Sequence, residues 1–187
     1  MKPVYRKISL EEIITLAQKD DYKALEELIR RVQKDVFTLM SYIVKEKNEI
    51  ADLTQTALMR IARGIKSLKK VDKFKQWVNR IVYNVYYDNW EKIKCNCEEV
   101  SIEENCNDIV DKNIQPHEKC IASELDMLVK QSILNLPEHF KIAIILRELA
   151  GLSYQEISDI TKAGLGTVKS RIARARMILQ DKLRECI

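Results

Sequence analysis

The sequence predicts an all-α protein of two small helical domains joined by an acidic linker, the second domain containing a helix-turn-helix. Apolar residues recur at spacings of three and four along most of the 187 residues, and the chain holds only 4 Gly and 3 Pro. Ser-X-X-Glu capping boxes mark helix starts at Ser9 and Ser153. A stretch without periodicity separates two periodic parts, so we place the domains at residues 1–93 and 121–187, with the linker at 94–120.

The first domain contains three predicted amphipathic helices. One runs from Tyr22 to Val44, the second carries its apolar stripe from Ile50 to Leu68, and the third extends from Phe74 to about Glu91. The capping box at Ser9 predicts a short helix before them. We expect these helices to share one core, which a chain of this length can bury without covalent cross-links.

The linker carries most of the cysteines, and two interpretations of them stay open. Cys95, Cys97, Cys106 and Cys120, with His117, include enough potential ligands for a tetrahedral metal ion. Their spacing is irregular, however, and the Cys-X-Cys pair is not the usual zinc knuckle. We therefore favour plain intracellular thiols, and we expect neither a metal nor another cofactor.

The second domain ends in the pattern of a helix-turn-helix. A capped short helix precedes a glycine-bearing turn, and a long basic helix follows the turn. Pro137 opens the helix before this pair, at a position where its missing N–H is harmless. The predicted order is a helix from Ile121 to Leu136, a helix from Pro137 that stops at Gly151, the short helix after Ser153, the turn Lys162–Gly166, and a last helix from about Thr167 to Leu183.

The last helix has an apolar stripe on one side and a face of small and basic residues on the other. The stripe includes Val168, Ile172 and Ala175, and it must face the domain core. Small residues flanked by cations suit a helix that enters a major groove. A solvated basic face is the alternative, but the capped helix and turn in front of it favour DNA. The opposite face and its flanks hold Lys169, Ser170, Arg171, Ala173, Arg174, Arg176 and Met177.

The third helix carries aromatic and polar residues opposite its core stripe. Asn79, Tyr83, Tyr86 and Trp90 lie there, with Arg80 and Tyr87 beside them. Aromatic rings interleaved with hydrogen-bond donors are suited to hold unpaired bases, by stacking on their faces and bonding to their edges. Packing of the same rings under the linker or against a partner is an equally open interpretation at this point.

The second domain resembles a known family. The segment LPEHFKIAIILRELAGLSYQEISDITKAGLGTVKSRIARARMIL is similar to region four of the extracytoplasmic-function sigma factors, most clearly in GLSYQEI and GTVKSRIARAR. This resemblance implies that the last helix reads the minus-thirty-five promoter element. Its implied DNA contacts are Lys169, Ser170, Arg171 and Arg174, and we add Arg176 as a candidate. The turn departs from the family, because Lys162 replaces the common glycine and Gly164 the common proline.

The first domain resembles region two of the same family. IADLTQTALMRIARGI is followed by FKQWVNRIVYNVYYDNW, and the family's Asp-Leu-X-Gln motif for polymerase binding matches Asp52, Leu53 and Gln55. The helical wheel places Met59 and Arg63 on the same outer face as Asp52 and Gln55, whereas Leu53 falls on the core stripe. Thr56 stands where the family has an acidic residue.

Region two also implies a site for the melted minus-ten element. The loop Lys66–Lys73 sits where the family has a specificity loop, and Asn84 matches the Asn that ends the family's Trp-X-X-Arg-Ile-X-X-Asn run. The loop lysines are equally compatible with plain solvation, and Trp77 is better explained by core packing. The candidate minus-ten residues are Lys69, Lys70, Lys73, Arg80, Tyr83, Asn84, Tyr86, Tyr87 and Trp90.

The resemblance spans about Asp20 to Leu183 and implies a sigma factor, which binds core RNA polymerase and directs promoter-specific initiation. Family habit adds an anti-sigma factor as a partner. We expect no enzymatic activity, because neither His117 nor His139 has a recognisable nucleophile and no glycine loop could cradle a phosphate. The sequence has no secretory signal and no apolar run of membrane length, so we expect a cytoplasmic protein without membrane insertion.

A conventional helix-turn-helix regulator with an N-terminal sensor domain is the alternative function. In that case Tyr83, Tyr86 and Trp90 would line a ligand pocket or a dimer interface. The formal net charge of +4 does not decide between the two, because many ordinary domains carry as much. Stable association with core polymerase is required only of the sigma factor.

Overall fold

The computed structural model describes residues 4–98 and 121–184, and every regular element in these two ranges is helical. The predicted all-α class is therefore confirmed. Single 3₁₀ turns at Ile65–Ser67 and Val71–Lys73 lie between the fourth and fifth of the helices. The helices are α1 (Val4–Lys7), α2 (Leu10–Gln18), α3 (Tyr22–Ile43), α4 (Lys47–Gly64), α5 (Phe74–Glu98), α6 (Ile121–Leu134), α7 (Glu138–Glu148), α8 (Tyr154–Thr161) and α9 (Leu165–Arg184).

Side-chain caps fix several helix starts. Both predicted capping boxes are present: Ser9 and Glu12 cap α2, and Ser153 and Glu156 cap α8. At the start of α3, the Asp21 carboxylate accepts hydrogen bonds from two backbone N–H groups of the first turn. Each cap accepts hydrogen bonds from backbone N–H groups that have no partner within the helix. This is why the Ser-X-X-Glu spacing predicts the starts of α2 and α8.

Helices α1 to α5, which we call the N-terminal unit, share one apolar core. Ile13 of α2, Leu28 and Met40 of α3, Ile61 of α4 and Val82 of α5 are all buried in it. The Gln18 side chain of α2 ties the end of α4 to this core, because its amide donates to the carbonyls that follow α4. The three predicted amphipathic helices therefore pack as expected.

Helices α6 to α9 form the C-terminal unit, which is centred on α7. Residues 141–146 of α7 are buried without interruption, so this helix has no solvent-facing stripe there. A helix buried on all sides needs neighbours all round. Within the unit α9 packs along α7, and α3 of the N-terminal unit contacts it from outside. Burial of α7 therefore depends on docking of the two units.

Several helix boundaries differ from the sequence prediction: α4 ends at Gly64 and not Leu68, α6 at Leu134 and not Leu136, and α7 at Glu148, before Gly151. Helix α5 continues to Glu98, past the expected end near Glu91 and into the stretch assigned to the linker. Residues 91–94 are exposed, so the helix projects beyond the core and loses the apolar periodicity on which the prediction relied. Helix α9 begins at Leu165, two residues before the expected Thr167. The linker residues 99–120 lie outside the described residues, as do Cys106, Cys120 and His117.

The turn of the helix-turn-helix has a left-handed residue where the family has glycine. Lys162 ends α8 with φ 54° and ψ 26°, and the Ser158 hydroxyl donates to the carbonyl of Ala163 at 2.6 Å. A lysine there accepts a backbone conformation that costs about 1 to 2 kcal/mol for a residue with a Cβ. The turn therefore forms with a lysine in the left-handed conformation.

None of the helices in residues 4–98 and 121–184 combines the length and the apolar character that a membrane span needs.

Candidate functional surfaces

The outer face of α4 presents the four residues assigned to polymerase binding. Asp52, Gln55, Met59 and Arg63 are all exposed, and 45% of the Met59 surface is accessible. Leu53 is partly buried and packs against the core, as the helical wheel predicts. The predicted positions on this face are therefore confirmed, while their role in binding stays a prediction.

Helix α5 presents a row of three aromatic rings, Tyr83, Tyr87 and Trp90, which we call the aromatic row. The ring centroids of Tyr83 and Tyr87 lie 5.7 Å apart, as do those of Tyr87 and Trp90. Arg80 and Asn84 are exposed on the same helix. Aromatic rings with nearby amide and guanidinium groups can stack on unpaired bases and bond to their edges.

Tyr86 and Asn79 do not lie on this exposed face, and that expectation was wrong. Tyr86 is 7% exposed and Asn79 is 3% exposed. Tyr86 faces α7 of the C-terminal unit, and Asn79 lines a cavity with residues of α3 and with Leu149 and Ala150. The helical wheel could not show their burial, because a wheel describes one helix and not the units that dock against it.

Tyr86 makes a hydrogen bond between the two units. Its hydroxyl donates to the Glu138 carboxylate at 2.5 Å, and the Lys141 ammonium lies 2.9 Å from the other oxygen of that carboxylate. Lys141 also stands 5.7 Å from the centroid of the Tyr86 ring. Burial, reinforced by the Glu138 hydrogen bond, raises the pKa of the Tyr86 hydroxyl far above its usual value. The hydroxyl therefore remains a donor.

A cavity of about 320 Å³ separates the aromatic row from the C-terminal unit. Arg171 of α9 lines its opposite wall, and its charge opposes the effect of burial, which raises the pKa of Tyr83. Arg171 is partly buried here. The helix assigned to the minus-thirty-five element and the row assigned to the minus-ten element therefore face one another.

The lysines of the loop before α5 lie in two different environments. Lys69 and Lys70 are exposed, whereas the Lys73 ammonium lies 3.8 Å from the carboxylate of Glu156 in the α8 capping box. Trp77 packs against Gly64, where an added Cβ would lie 3.0 Å from the indole ring. The core-packing interpretation of Trp77 agrees with this contact.

The outer side of α9 has the predicted small and basic face. Val168, Ile172 and Ala175 are buried, as expected. The exposed face holds Lys169, Ser170, Ala173, Arg174 and Met177, and we call it the cationic face. Within the described ranges, neither Lys169 nor Arg174 has an ion-pair partner, so both cations are available to phosphate or base edges.

Arg176 points to the other side of α9. Its guanidinium pairs with the Glu148 carboxylate of α7 at 2.5 Å, which raises the pKa of the arginine. The wheel placed Arg176 at the rim of the DNA-facing side, and its contact with DNA stays a prediction. In this conformation it joins α9 to α7.

The sequence alone did not assign three charged groups to a contact between the units. Glu138, Lys141 and Glu156 contact α5 or the loop before it. Glu138 and Glu156 each occupy a first helical turn, where an acidic residue is already explained by the helix dipole. Their sequence positions therefore carried no signal of a contact between units.

The described residues contain no cluster of three or more His, Cys, Asp or Glu side chains that could hold a metal ion. The side chains of Cys95 and Cys97 and the positions of Cys106, Cys120 and Cys186 are not among them. The linker-cysteine hypothesis lies outside the described part of the chain.

Comparison with known proteins matches both halves of the chain in order. Residues 28–94 match the family model for sigma-70 region 2, and residues 126–179 match the model for sigma-70 region 4. The ECF RNA polymerase sigma-E factor of Haemophilus influenzae is 33% identical over 92% of this chain and 94% of that protein. The sigma-E factor of Escherichia coli K12 is 32% identical over 94% of each, and the ECF sigma factor SigW of Bacillus subtilis is 28% identical over 96% of this chain and 99% of its own.

Two solved structures share the fold. The sigma factor RpoE of Bartonella quintana, crystallised in complex with the anti-sigma factor NepR, aligns with a TM-score of 0.67 and 23% identity over 87% of this chain and 98% of its own. CnrH, in complex with the cytosolic domain of CnrY, aligns with a TM-score of 0.64 and 16% identity over 94% and 97% of the two chains.

Proposed function

Because the chain belongs to the extracytoplasmic-function sigma factors of the sigma-70 family, which direct promoter-specific transcription initiation, we propose a specific division of this work among its helices. Helix α4 binds core RNA polymerase, α5 and the loop before it capture the melted minus-ten strand, and α9 reads the minus-thirty-five element. The observation that carries this proposal is the presence of an aromatic row and a cationic face on separate units of one chain.

The chemistry of each surface favours its assigned target. Aromatic rings stack on bases only where the bases are unpaired, which suits the melted minus-ten strand. A helix with small residues at its centre and cations at its rim fits a duplex major groove. Arg174 and Lys169 would contact phosphates or base edges, and Ser170 and Ala173 would leave room for close approach. The units thus recognise different states of one DNA molecule.

We assign residues 1–93 to region two and 121–187 to region four, joined by a linker at 94–120. The factor would act in the cytoplasm with core polymerase and promoter DNA, without covalent chemistry or a cofactor of its own. An anti-sigma partner is supported by RpoE, which was crystallised with one. The alternative, a helix-turn-helix regulator with a sensor domain, does not account for the match of α3 to α5 to sigma-70 region 2.

A reconstituted transcription assay tests the proposal. The full chain is mixed with purified core polymerase and a library of duplex promoters, without another sigma factor. We expect a stable complex with core and initiation at a defined subset of promoters. A chain that binds duplex DNA but neither associates with core polymerase nor starts transcripts would favour the regulator instead.

A further inference from the structure

The contact between the two units occupies the part of α5 that strand capture needs. Tyr86 is 7% exposed, with its hydroxyl on Glu138 and the Lys141 ammonium beside its ring. Tyr83 and Trp90 line the cavity beneath α7 and α9. A base can stack only on a ring whose face is free, so a strand cannot stack on Tyr86 while the C-terminal unit covers it, and α7 and α9 confine the space over Tyr83 and Trp90.

We propose that the C-terminal unit is an intramolecular competitor of the minus-ten strand, held in place by a latch of Tyr86, Glu138 and Lys141. The latch closes the free chain and must open before α5 captures DNA. This inference rests on the proposed function of α5. It adds a closed state in which the C-terminal unit prevents α5 from capturing DNA. The competing ligand is the surface of α7 that carries Glu138 and Lys141.

Part of the contact between the units is polar, beside the packing of α3 on α7, and these polar groups favour a latch that opens. Besides Tyr86 and Glu138, the units are joined by Lys73 with Glu156, and by Lys130, whose ammonium lies 5.2 Å from the Tyr42 ring centroid. Permanent interfaces are mainly apolar, whereas polar ones between domains separate more readily. Each of these groups can exchange its partner for water when the units part.

Burial of the Asn79 side chain makes the closed state less stable than its other contacts would make it. Its side-chain nitrogen is buried at the contact and has no hydrogen-bond partner. Asn79 lines a cavity together with residues of α2 and α3, with Phe74 of α5, and with Leu149 and Ala150, which follow α7. An unsatisfied buried donor is unfavourable, and it regains water when the cavity opens.

The linker is long enough for opening. The 22 residues from 99 to 120 join α5 to α6. A chain of that length can span at most about 70 Å when extended. The C-terminal unit can therefore leave α5 without breaking any element of either unit.

The test removes each side of one hydrogen bond in the full-length chain. Tyr86→Phe keeps the ring that would stack and deletes only its hydroxyl, and Glu138→Ala deletes the acceptor. Controls are Tyr22→Phe, at an exposed tyrosine of α3, and Asp159→Ala, at a carboxylate of α8 bonded to Gln155 of the same helix. The readouts are the radius of gyration by small-angle X-ray scattering and the affinity for a short fluorescent single-stranded DNA of mixed sequence.

We expect both latch variants to have a larger radius of gyration and to bind the single strand about 3- to 10-fold more tightly, because a larger fraction of molecules is open. The double variant should gain little beyond either single one, since both changes remove the same interaction. The control variants should match the unmodified chain in both readouts.

Two outcomes would overturn the latch. If neither variant expands the chain, Tyr86 and Glu138 do not hold it closed. If both expand it without tighter binding, the C-terminal unit does not compete with the strand. Trp90→Ala in the same assay tests the proposed function of α5 separately. If this variant loses affinity for the single strand, α5 of the unmodified chain binds DNA, and a failure of the latch variants then concerns the latch alone.

Discussion

The carboxylate of Glu27 is completely buried in α3 and accepts a hydrogen bond from Arg31 one turn later, with 3.0 Å between Oε1 and Nε. Arg30 donates to both oxygens of the same carboxylate. Arg31 also donates to the backbone carbonyls of Tyr5 and Ile8. Glu27 thus orients the side chain that fastens the N-terminal segment to α3, and breaking a buried ion pair leaves a costly unpaired charge.

Acid should lower the stability of the folded chain, because it protonates Glu27. The hydrogen bonds from Arg30 and Arg31 lower the pKa of Glu27 from 4.5 to about 2. Because the folded-state pKa lies below the unfolded value, the stabilisation is present above about pH 4.5 and is lost as pH falls toward 2. We expect Glu27→Gln to lower Tm near neutral pH and to flatten the dependence of Tm on pH across this window.

Thermal unfolding followed by circular dichroism at a series of pH values checks this expectation. Glu26→Gln is the matched control, because Glu26 is the exposed neighbour on the same helix. An equal fall of Tm with acid in the Glu27→Gln variant and the unmodified chain would show that Glu27 does not carry the effect.

Local signals in the sequence were sufficient to predict the helices and most of their buried faces. Ser9 and Ser153 begin capped helices where their spacing to a Glu predicts them. Val168, Ile172 and Ala175 are buried, as a period of 3.6 requires. These features are fixed by backbone hydrogen bonds and by one helix face, both of which lie within a short stretch of sequence.

Features that depend on docking of the units could not be predicted in this way. Tyr86 is buried because α7 lies over it, and Arg171 faces the aromatic row because α9 packs along α7. Asn79 is buried beside a cavity that Leu149 and Ala150 help to line. Arg176 was placed at the rim of the DNA-facing side, yet it pairs with Glu148. Hydrophobic periodicity within one helix contains no information about which polar face meets another unit.

The cationic face should govern binding to duplex promoters. Arg174→Ala and Lys169→Ala are expected to weaken promoter binding while polymerase binding is unchanged. A phosphate contact should lower the salt slope by about one, and a base contact should relax preference at one position at a cost of about 1 to 3 kcal/mol. Salt titrations on the factor bound to core polymerase, with promoter variants, distinguish the two.

Arg184→Ala is the control for this helix, because it removes an arginine three turns further along α9. If Arg174→Ala and Lys169→Ala change promoter binding no more than Arg184→Ala does, α9 does not read the minus-thirty-five element.

The outer face of α4 should act in polymerase binding rather than in folding. Asp52 and Gln55 are exposed, so replacing both by Ala should change the free energy of unfolding by no more than about 0.5 kcal/mol. Affinity for core polymerase should fall, as measured by fluorescence anisotropy. Gln33→Ala with Asp35→Ala makes the same two changes on the exposed side of α3. Normal core affinity in the Asp52 and Gln55 double variant would remove this assignment.

Two glycines should respond to alanine with opposite signs. Gly151 has φ 69°, a left-handed conformation that alanine adopts with strain, so Gly151→Ala should destabilise the chain by about 1 kcal/mol. Gly166 lies in the first turn of α9, and a Cβ there would meet no atom within 4 Å. Gly166→Ala should stabilise the chain by about 0.5 to 1 kcal/mol. Urea unfolding measures both, and a stabilised Gly151→Ala would contradict the assigned backbone strain.

Capture of the melted strand by the aromatic row is the most informative prediction for promoter opening. Trp90→Ala removes a stacking ring at the end of the row, with an expected cost of about 1 to 3 kcal/mol per base that loses its contact. Because base faces are hidden in a closed duplex, the loss should appear in open-complex formation and not in initial duplex binding. On a promoter whose minus-ten element is already unpaired by mismatches, the variant should regain only part of the lost open-complex formation. The mismatches remove the need for melting, but they do not replace the stacking contact.

Asn84→Ala should behave differently from Trp90→Ala. The Asn84 amide is exposed on α5 and can bond to a base edge, so its loss should change which minus-ten base is preferred. Permanganate footprinting and initiation rates across single-base promoter variants measure both effects, with Tyr22→Ala as the control for loss of an exposed ring outside α5. If Trp90→Ala and Asn84→Ala open duplex promoters at the normal rate with unchanged base preference, the aromatic row serves in packing and strand capture lies elsewhere on the chain.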